Sequence, residues 1–135
     1  LNPHIRNKYL LPILGGLIGS VWVFHGLYSK ILDGVPRHRL IVARILGEGI
    51  ADFATLAIGL AEIVLGIWVF SGLFRRSCAL LQTLVLVAMN SLEIYLAKDL
   101  LISALGMVAL NFAFLSLVWY WAVAPRSSGE PSSLP

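Results

Sequence analysis

Glu62 stands near the middle of an apolar run, residues 52–70, and no other residue constrains the chemistry of this sequence as strongly. A charged carboxyl at the centre of a bilayer costs about 3 kcal/mol or more, so it must be protonated, paired or wetted. Such a group either bridges helices through a hydrogen bond or handles protons or a ligand, and residue type alone leaves both open. Lys30, with Arg37, His38 and Arg39, forms a basic patch of the kind that meets lipid headgroups. His25 precedes Lys30 by about one turn, at the mouth of another apolar run. Gln82, Asn90 and Asn111 are amides inside apolar runs. Each can bridge helices, and several on one inner wall would also suit the polar head of a ligand. Glu93 falls close enough to the end of its run for its carboxylate to reach an interface.

Ligand counts narrow the alternatives. A bis-imidazole haem needs two histidines facing each other within the bilayer, and His25 is the only histidine in an apolar run, His4 and His38 lying outside. Histidines, carboxylates and the single cysteine nowhere take up metal-ligand spacing, so no metal is expected. Cys78 has no partner for an internal disulfide or a CxxC pair; Arg75 and Arg76 lie nearby, but a packed, inert thiol is the expectation. What remains is a set of ligand-binding candidates, His25, Lys30, Arg37, His38, Glu62, Gln82, Asn90 and Asn111, without a complete catalytic constellation or a covalent cofactor.

These residues are carried by a chain whose solvent must be lipid. Only 13% of its 135 residues are charged, against about 25% in soluble domains, and its mean hydropathy is +0.87. A span needs roughly 20 apolar residues. Residues 10–28, 52–70, 77–97 and 100–123 qualify, which gives an all-α bundle of four transmembrane helices. The first is too long for a signal peptide and lacks a small-residue cleavage site after it. Residues 1–9 are expected at an interface, 10–123 form the membrane domain, and 124–135, rich in Ser and Pro, are expected to be disordered. The net charge of +3 comes from bases at segment ends, which points to lipid headgroups rather than nucleic acid.

Periodicity indicates how the spans meet. Gly15, Gly19, Trp22 and Gly26 share one helical stripe, as do Asp52, Thr55, Gly59, Glu62 and Gly66. Small residues on such stripes admit a neighbouring backbone. Gln82 and Glu93, eleven apart, lie about 20° from eclipsed. Pro12 is expected in a first helical turn, where proline is tolerated. In the connector 30–49, Gly34 and Pro36 break helix, and the segment after Pro36 is expected to form a short amphipathic helix folded over one mouth of the bundle. Ser71-Gly72 ends the second span, and Lys98-Asp99 makes a tight turn between antiparallel neighbours. Trp119, Tyr120 and Trp121 favour the headgroup level. Four spans put both termini on one side. Basic residues tie at five on each side, and the rule favours cytoplasmic termini if Lys30 lies inside the bundle.

The run His25-Gly26-Leu27-Tyr28-Ser29-Lys30-Ile31-Leu32, then Val35-Pro36-Arg37-His38, resembles the first helix and loop of DoxX-like membrane proteins. So do Gly59-Leu60-Ala61-Glu62-Ile63-Val64-Leu65-Gly66 with Ser71-Gly72, the stretch from Gln82 to Met89-Asn90, and Asp99-Leu100. Asn111 fits the polar position of the fourth helix. The resemblance implies a four-helix protein of the DoxX and DoxD superfamily in a bacterial inner membrane. Some members resemble subunits of thiosulfate:quinone oxidoreductase or associate with redox enzymes. The family positions that map here are Lys30, Pro36-Arg37-His38, Glu62, Gln82, Asn90 and Asn111; at His25 relatives often carry another polar or acidic residue. The expected role is an accessory or ligand-binding subunit, holding a quinone or a lipid and docking to other membrane subunits of a redox or energy-converting complex. The alternatives are a quinone-linked oxidoreductase using Glu62 and Lys30, and a purely structural subunit.

Overall fold

The computed structural model describes residues 2–125, and the expectation for the tail falls almost entirely outside them, from residue 126 onward. Five α-helices follow one another: α1 (Pro3–Phe24), α2 (Pro36–Leu46), α3 (Glu48–Ser71), α4 (Arg75–Ala97) and α5 (Ala104–Val123). Four segments are long and apolar enough to cross a membrane, Ile5–Ile31, Glu48–Ser71, Arg75–Leu100 and Ala104–Val123. The fourfold span pattern and the short amphipathic helix between the first two spans stand as the sequence indicates. The first three spans extend outward, and the fourth begins at Ala104 rather than at residue 100. Because α1 begins at Pro3, residues 3–9 supply its opening turns, and Pro12 lies in the helix interior rather than its first turn. There it removes one backbone hydrogen bond.

Helices α1 and α3 meet through glycine. A Cβ on Gly66 would lie 2.7 Å from the Gly19 carbonyl oxygen, and one on Gly59 would lie 2.8 Å from the Gly26 carbonyl oxygen. Two glycine-on-glycine crossings therefore bring the two backbones into contact along the stripes read from the sequence. Gly15, on the same stripe, instead accommodates the Trp121 indole of α5, whose Nε1 would lie 2.9 Å from an added Cβ.

Past Phe24 the first span widens into a π-helical segment, His25–Ile31, and the chain then reverses. The reversal is held by its own backbone. The amides of Leu32, Gly34 and Val35 donate to the carbonyls of Leu27, Tyr28 and Ser29 at 2.8, 2.7 and 3.4 Å, and that of Asp33 to Lys30 at 3.3 Å. Helix-end carbonyls are thus satisfied without extending the helix. Gly34 is required here because an added Cβ would lie 2.6 Å from the Tyr28 ring. This turn aims α2 back over the mouth of the bundle.

One half of the bundle is packed and the other is hollow. Toward the termini, Ile18 and Trp22 of α1, Leu65 and Val69 of α3, Cys78 and Ala79 of α4, and Val118, Trp121 and Ala122 of α5 form a shared core. Trp121 is buried within this core; consecutive helical residues point about 100° apart, so the three rings in a row face different surroundings. Trp119 donates to Thr83 Oγ1 at 2.8 Å, and Tyr120 donates to Asn7 Oδ1 at 3.1 Å. Asn7 Nδ2 also donates to the Pro125 carbonyl at 3.0 Å, which places the two ends of the described chain together on one side. Toward α2 the four spans leave a cavity.

Candidate functional site

The cavity has a volume of about 600 Å³ and is walled by all five helices. Its floor is Trp22, fixed by donating from Nε1 to Gln82 Oε1 at 2.7 Å and by edge-on contact with Phe114 at 6.2 Å between centroids. Gln82 Nε2 in turn donates to Cys78 Sγ at 3.4 Å. Gln82 is fully buried beneath the floor and does not line the cavity, so its amide braces α1 against α4. Cys78 is fully buried in the packed half.

Above the floor the walls are apolar, with Val21, Ile58, Leu86, Met107 and Leu110 among them. Polar groups interrupt them in pairs drawn from different elements. Asn111 of α5 donates from Nδ2 to Asn90 Oδ1 of α4 at 2.9 Å. Lys30 Nζ meets Glu62 Oε1 at 2.8 Å, with side chains only 6% and 5% exposed. The glycine crossing makes that pair, since Gly59 clears room for the Lys30 stem, 3.2 Å from where its Cβ would be. The intramembrane carboxylate is thus paired, one of the three resolutions open to it. Its other oxygen, Oε2, is buried without a hydrogen-bond partner.

The mouth is built by α2. His38 stacks on His25, with centroids 5.9 Å apart and rings 27° from parallel, and Arg37 and Glu93 border the same space. His38, outside the spans, has its pKa lowered to about 4, chiefly by burial and then by the positive charges of Lys30, His25 and Arg37. It is therefore neutral around pH 7. Stacked rings do not aim two nitrogens at one central ion. Among the described residues, no three His, Cys, Asp or Glu side chains gather as metal ligands.

The remaining cations of α2 are engaged outside the cavity. Arg39 Nε pairs with Asp52 at 2.5 Å and its Nη1 with Glu48 at 3.2 Å, while Arg44 reaches Asp99 at 2.6 Å. Arg37 lines the cavity and makes no ion pair with a described residue. Of the eight sequence candidates, then, His25, Lys30, Arg37, His38, Glu62, Asn90 and Asn111 converge on one space, and Gln82 supports it from below. Glu93 joins them although its nearness to a helix end made it look interfacial. The signal was its register with Gln82, which sets both on one face of α4, three turns apart. The His25–His38 stack had no signal in the sequence, because it depends on the turn geometry of residues 32–35.

A model of the DoxX-like family matches residues 19–119. That range holds every residue of the cavity and both glycine crossings. No curated protein and no solved structure matches the chain.

Proposed function

The chain belongs to the DoxX-like family of integral membrane proteins, and from that premise we propose that it binds an amphiphile, a quinone or a lipid, as an accessory subunit of a membrane redox or energy-converting complex. The observation that supports this reading is the cavity itself. Its 600 Å³ lies within the 300–1,000 Å³ range of small-molecule sites, and its wall combines apolar side chains with polar and charged ones. A ring or headgroup would sit among Arg37, Asn90, Asn111 and the Lys30–Glu62 pair, with its tail along the apolar wall. Arg37 and Asn111 carry N–H donors suited to carbonyl or phosphoryl oxygens. The partner-free Glu62 oxygen keeps the quinone-linked oxidoreductase alive as a second reading, in which Glu62 would accept a proton from the ligand. Burial of Lys30 leaves five bases on the terminus side against four on the other, which favours cytoplasmic termini in a bacterial inner membrane.

The test is extraction of the purified protein, reconstituted from mild detergent, with mass spectrometry of bound quinones and lipids. A stoichiometric amphiphile is expected in the native protein, and loss of it in Met107→Trp, which fills the chamber. Equal occupancy in both, or none in either, would remove the reading. Electron-acceptor turnover by the isolated, loaded chain would favour the oxidoreductase over the accessory role.

A further inference from the structure

Lys30 borders two cavities, and Glu62 borders only one of them. The second, about 370 Å³, lies between the 32–35 turn, α2 and the start of α3. Five of its seven lining residues are polar: Lys30, Asp33, Arg39, Asp52 and Thr55. Thr55 is 5% exposed, and its hydroxyl oxygen is buried without a hydrogen-bond partner. Ser29, beside Lys30, also buries a hydroxyl without a partner, whereas the hydroxyls of Ser20, Thr83 and Ser116 bond back to the carbonyl four residues earlier. Thr55 lies one turn from Gly59 and two from Glu62 on the same stripe of α3, and the Lys30 stem crosses that stripe at Gly59. Asp33, a carboxylate of the second cavity, makes no ion pair with a described residue. The Lys30 side chain therefore has two acceptor sets within its surroundings: Glu62 on the chamber side, and Thr55 with Asp33 on the other.

We propose that the second cavity is an aqueous vestibule and that the Lys30–Glu62 pair is a proton gate between it and the ligand chamber. Closed, the pair is an ammonium and a carboxylate with no net charge. To open, Lys30 gives one proton to Glu62 across their 2.8 Å contact, and a hydronium ion in the vestibule replaces it. One N–H bond breaks and one re-forms at Lys30, one O–H bond breaks in the hydronium ion and one forms at the carboxyl, and water remains. Lys30, again an ammonium, turns from Glu62 to the Thr55 hydroxyl oxygen, its charge now balanced by Asp33. The gate carries one proton per opening from the α2 side only, since the packed core closes the chamber toward the termini. The charged and titratable groups around the pair are His25 in the π-helical segment, Asp33 in the turn, Arg37, His38 and Arg39 on α2, Asp52 on α3 and Glu93 on α4; α5 contributes the neutral Asn111 to this end. The gate does not depend on which amphiphile the chamber holds.

Infrared difference spectroscopy of the full chain in oriented proteoliposomes tests this. Acidifying the α2 side alone should raise a protonated-carboxyl band that is absent in Glu62→Gln. Thr55→Val keeps shape but removes the hydroxyl, and Asp33→Asn keeps a residue that tolerates the positive φ of 54° found there. Each should slow the rise on the order of tenfold, the effect of losing one hydrogen-bonding group from the path. Gly16→Ala, outside both cavities and at a position where an added Cβ meets nothing within 4 Å, should leave the rate unchanged. A band that rises equally from the terminus side, a rate altered by neither vestibule variant, or no band lost in Glu62→Gln, would overturn the gate. Ligand extraction is read separately, so failure of the gate and failure of amphiphile binding are distinguishable.

Discussion

Removing one member of the Lys30–Glu62 pair should be far more damaging than removing both. The groups are 2.8 Å apart and nearly inaccessible, so at an effective dielectric constant of about 20 their attraction is about 6 kcal/mol. Against this stands a desolvation cost of several kcal/mol per ion, which leaves the pair near balance as a unit. Lys30→Met strands a buried carboxylate and Glu62→Leu a buried ammonium, and each should cost about 3–5 kcal/mol. The double variant Lys30→Met/Glu62→Leu strands neither, and should return to within about 1 kcal/mol of the native protein or exceed it. Equilibrium unfolding in detergent, followed by tryptophan fluorescence, reads all four corners of the cycle; Trp22, in the cavity floor, reports on the region directly. Strictly additive losses in the double variant would refute the reasoning. So would single variants costing under about 1 kcal/mol, the behaviour of a solvated pair.

Gly26→Leu and Gly59→Leu should each destabilise by about 1–3 kcal/mol through overpacking at the α1–α3 crossing, whereas Gly16→Ala, where an added Cβ meets nothing within 4 Å, should be neutral or mildly stabilising; the same unfolding assay separates them. Lys8→Cys and Leu40→Cys, both at exposed positions, should react with an impermeant thiol reagent from opposite sides of a sealed vesicle, with native Cys78 silent because it is buried. The neutral state of His38 is favoured by folding. Its folded pKa of about 4 lies below the ordinary 6.5, so between those values the unfolded chain binds more protons. Stability should therefore fall as pH drops from 6.5 toward 4, and His38→Gln should flatten that slope in unfolding titrations.

The features legible in the sequence were those encoded by period. Four apolar runs gave the spans, and the recurrence of Gly19, Gly26, Gly59 and Gly66 on two stripes gave the α1–α3 crossing, because helical phase follows directly from residue number. The site was legible as a set of residue types, and the pairings within it were not. That Lys30 meets Glu62 depends on how far past Phe24 the first span continues, and the π-helical segment that carries Lys30 has no compositional signature. For Gln82 the residue type allows a bridge between helices or a place on an inner wall. Depth along the helix makes it the bridge, since Gln82 lies level with Trp22 below the floor. Asn7, in a polar opening segment, gave no hint of burial, because its partners are more than a hundred residues away.

Those distant partners set an order of assembly. Asn7 is 1% exposed, and its amide is satisfied by Tyr120 and Pro125. The groove at Gly15 is filled by Trp121, and Trp22 packs against Phe114. A first span that has left the insertion machinery can join α3 through the glycines, but it carries a buried-type amide and an open groove until α5 arrives. During synthesis, then, these positions on α1 stay unfilled until the last helix enters, and its entry closes the packed half of the bundle. Truncation before Trp121 would remove more than a few residues: the Gly15 groove would lose its indole and the Asn7 amide the Pro125 carbonyl, leaving the first helix without its closing contacts.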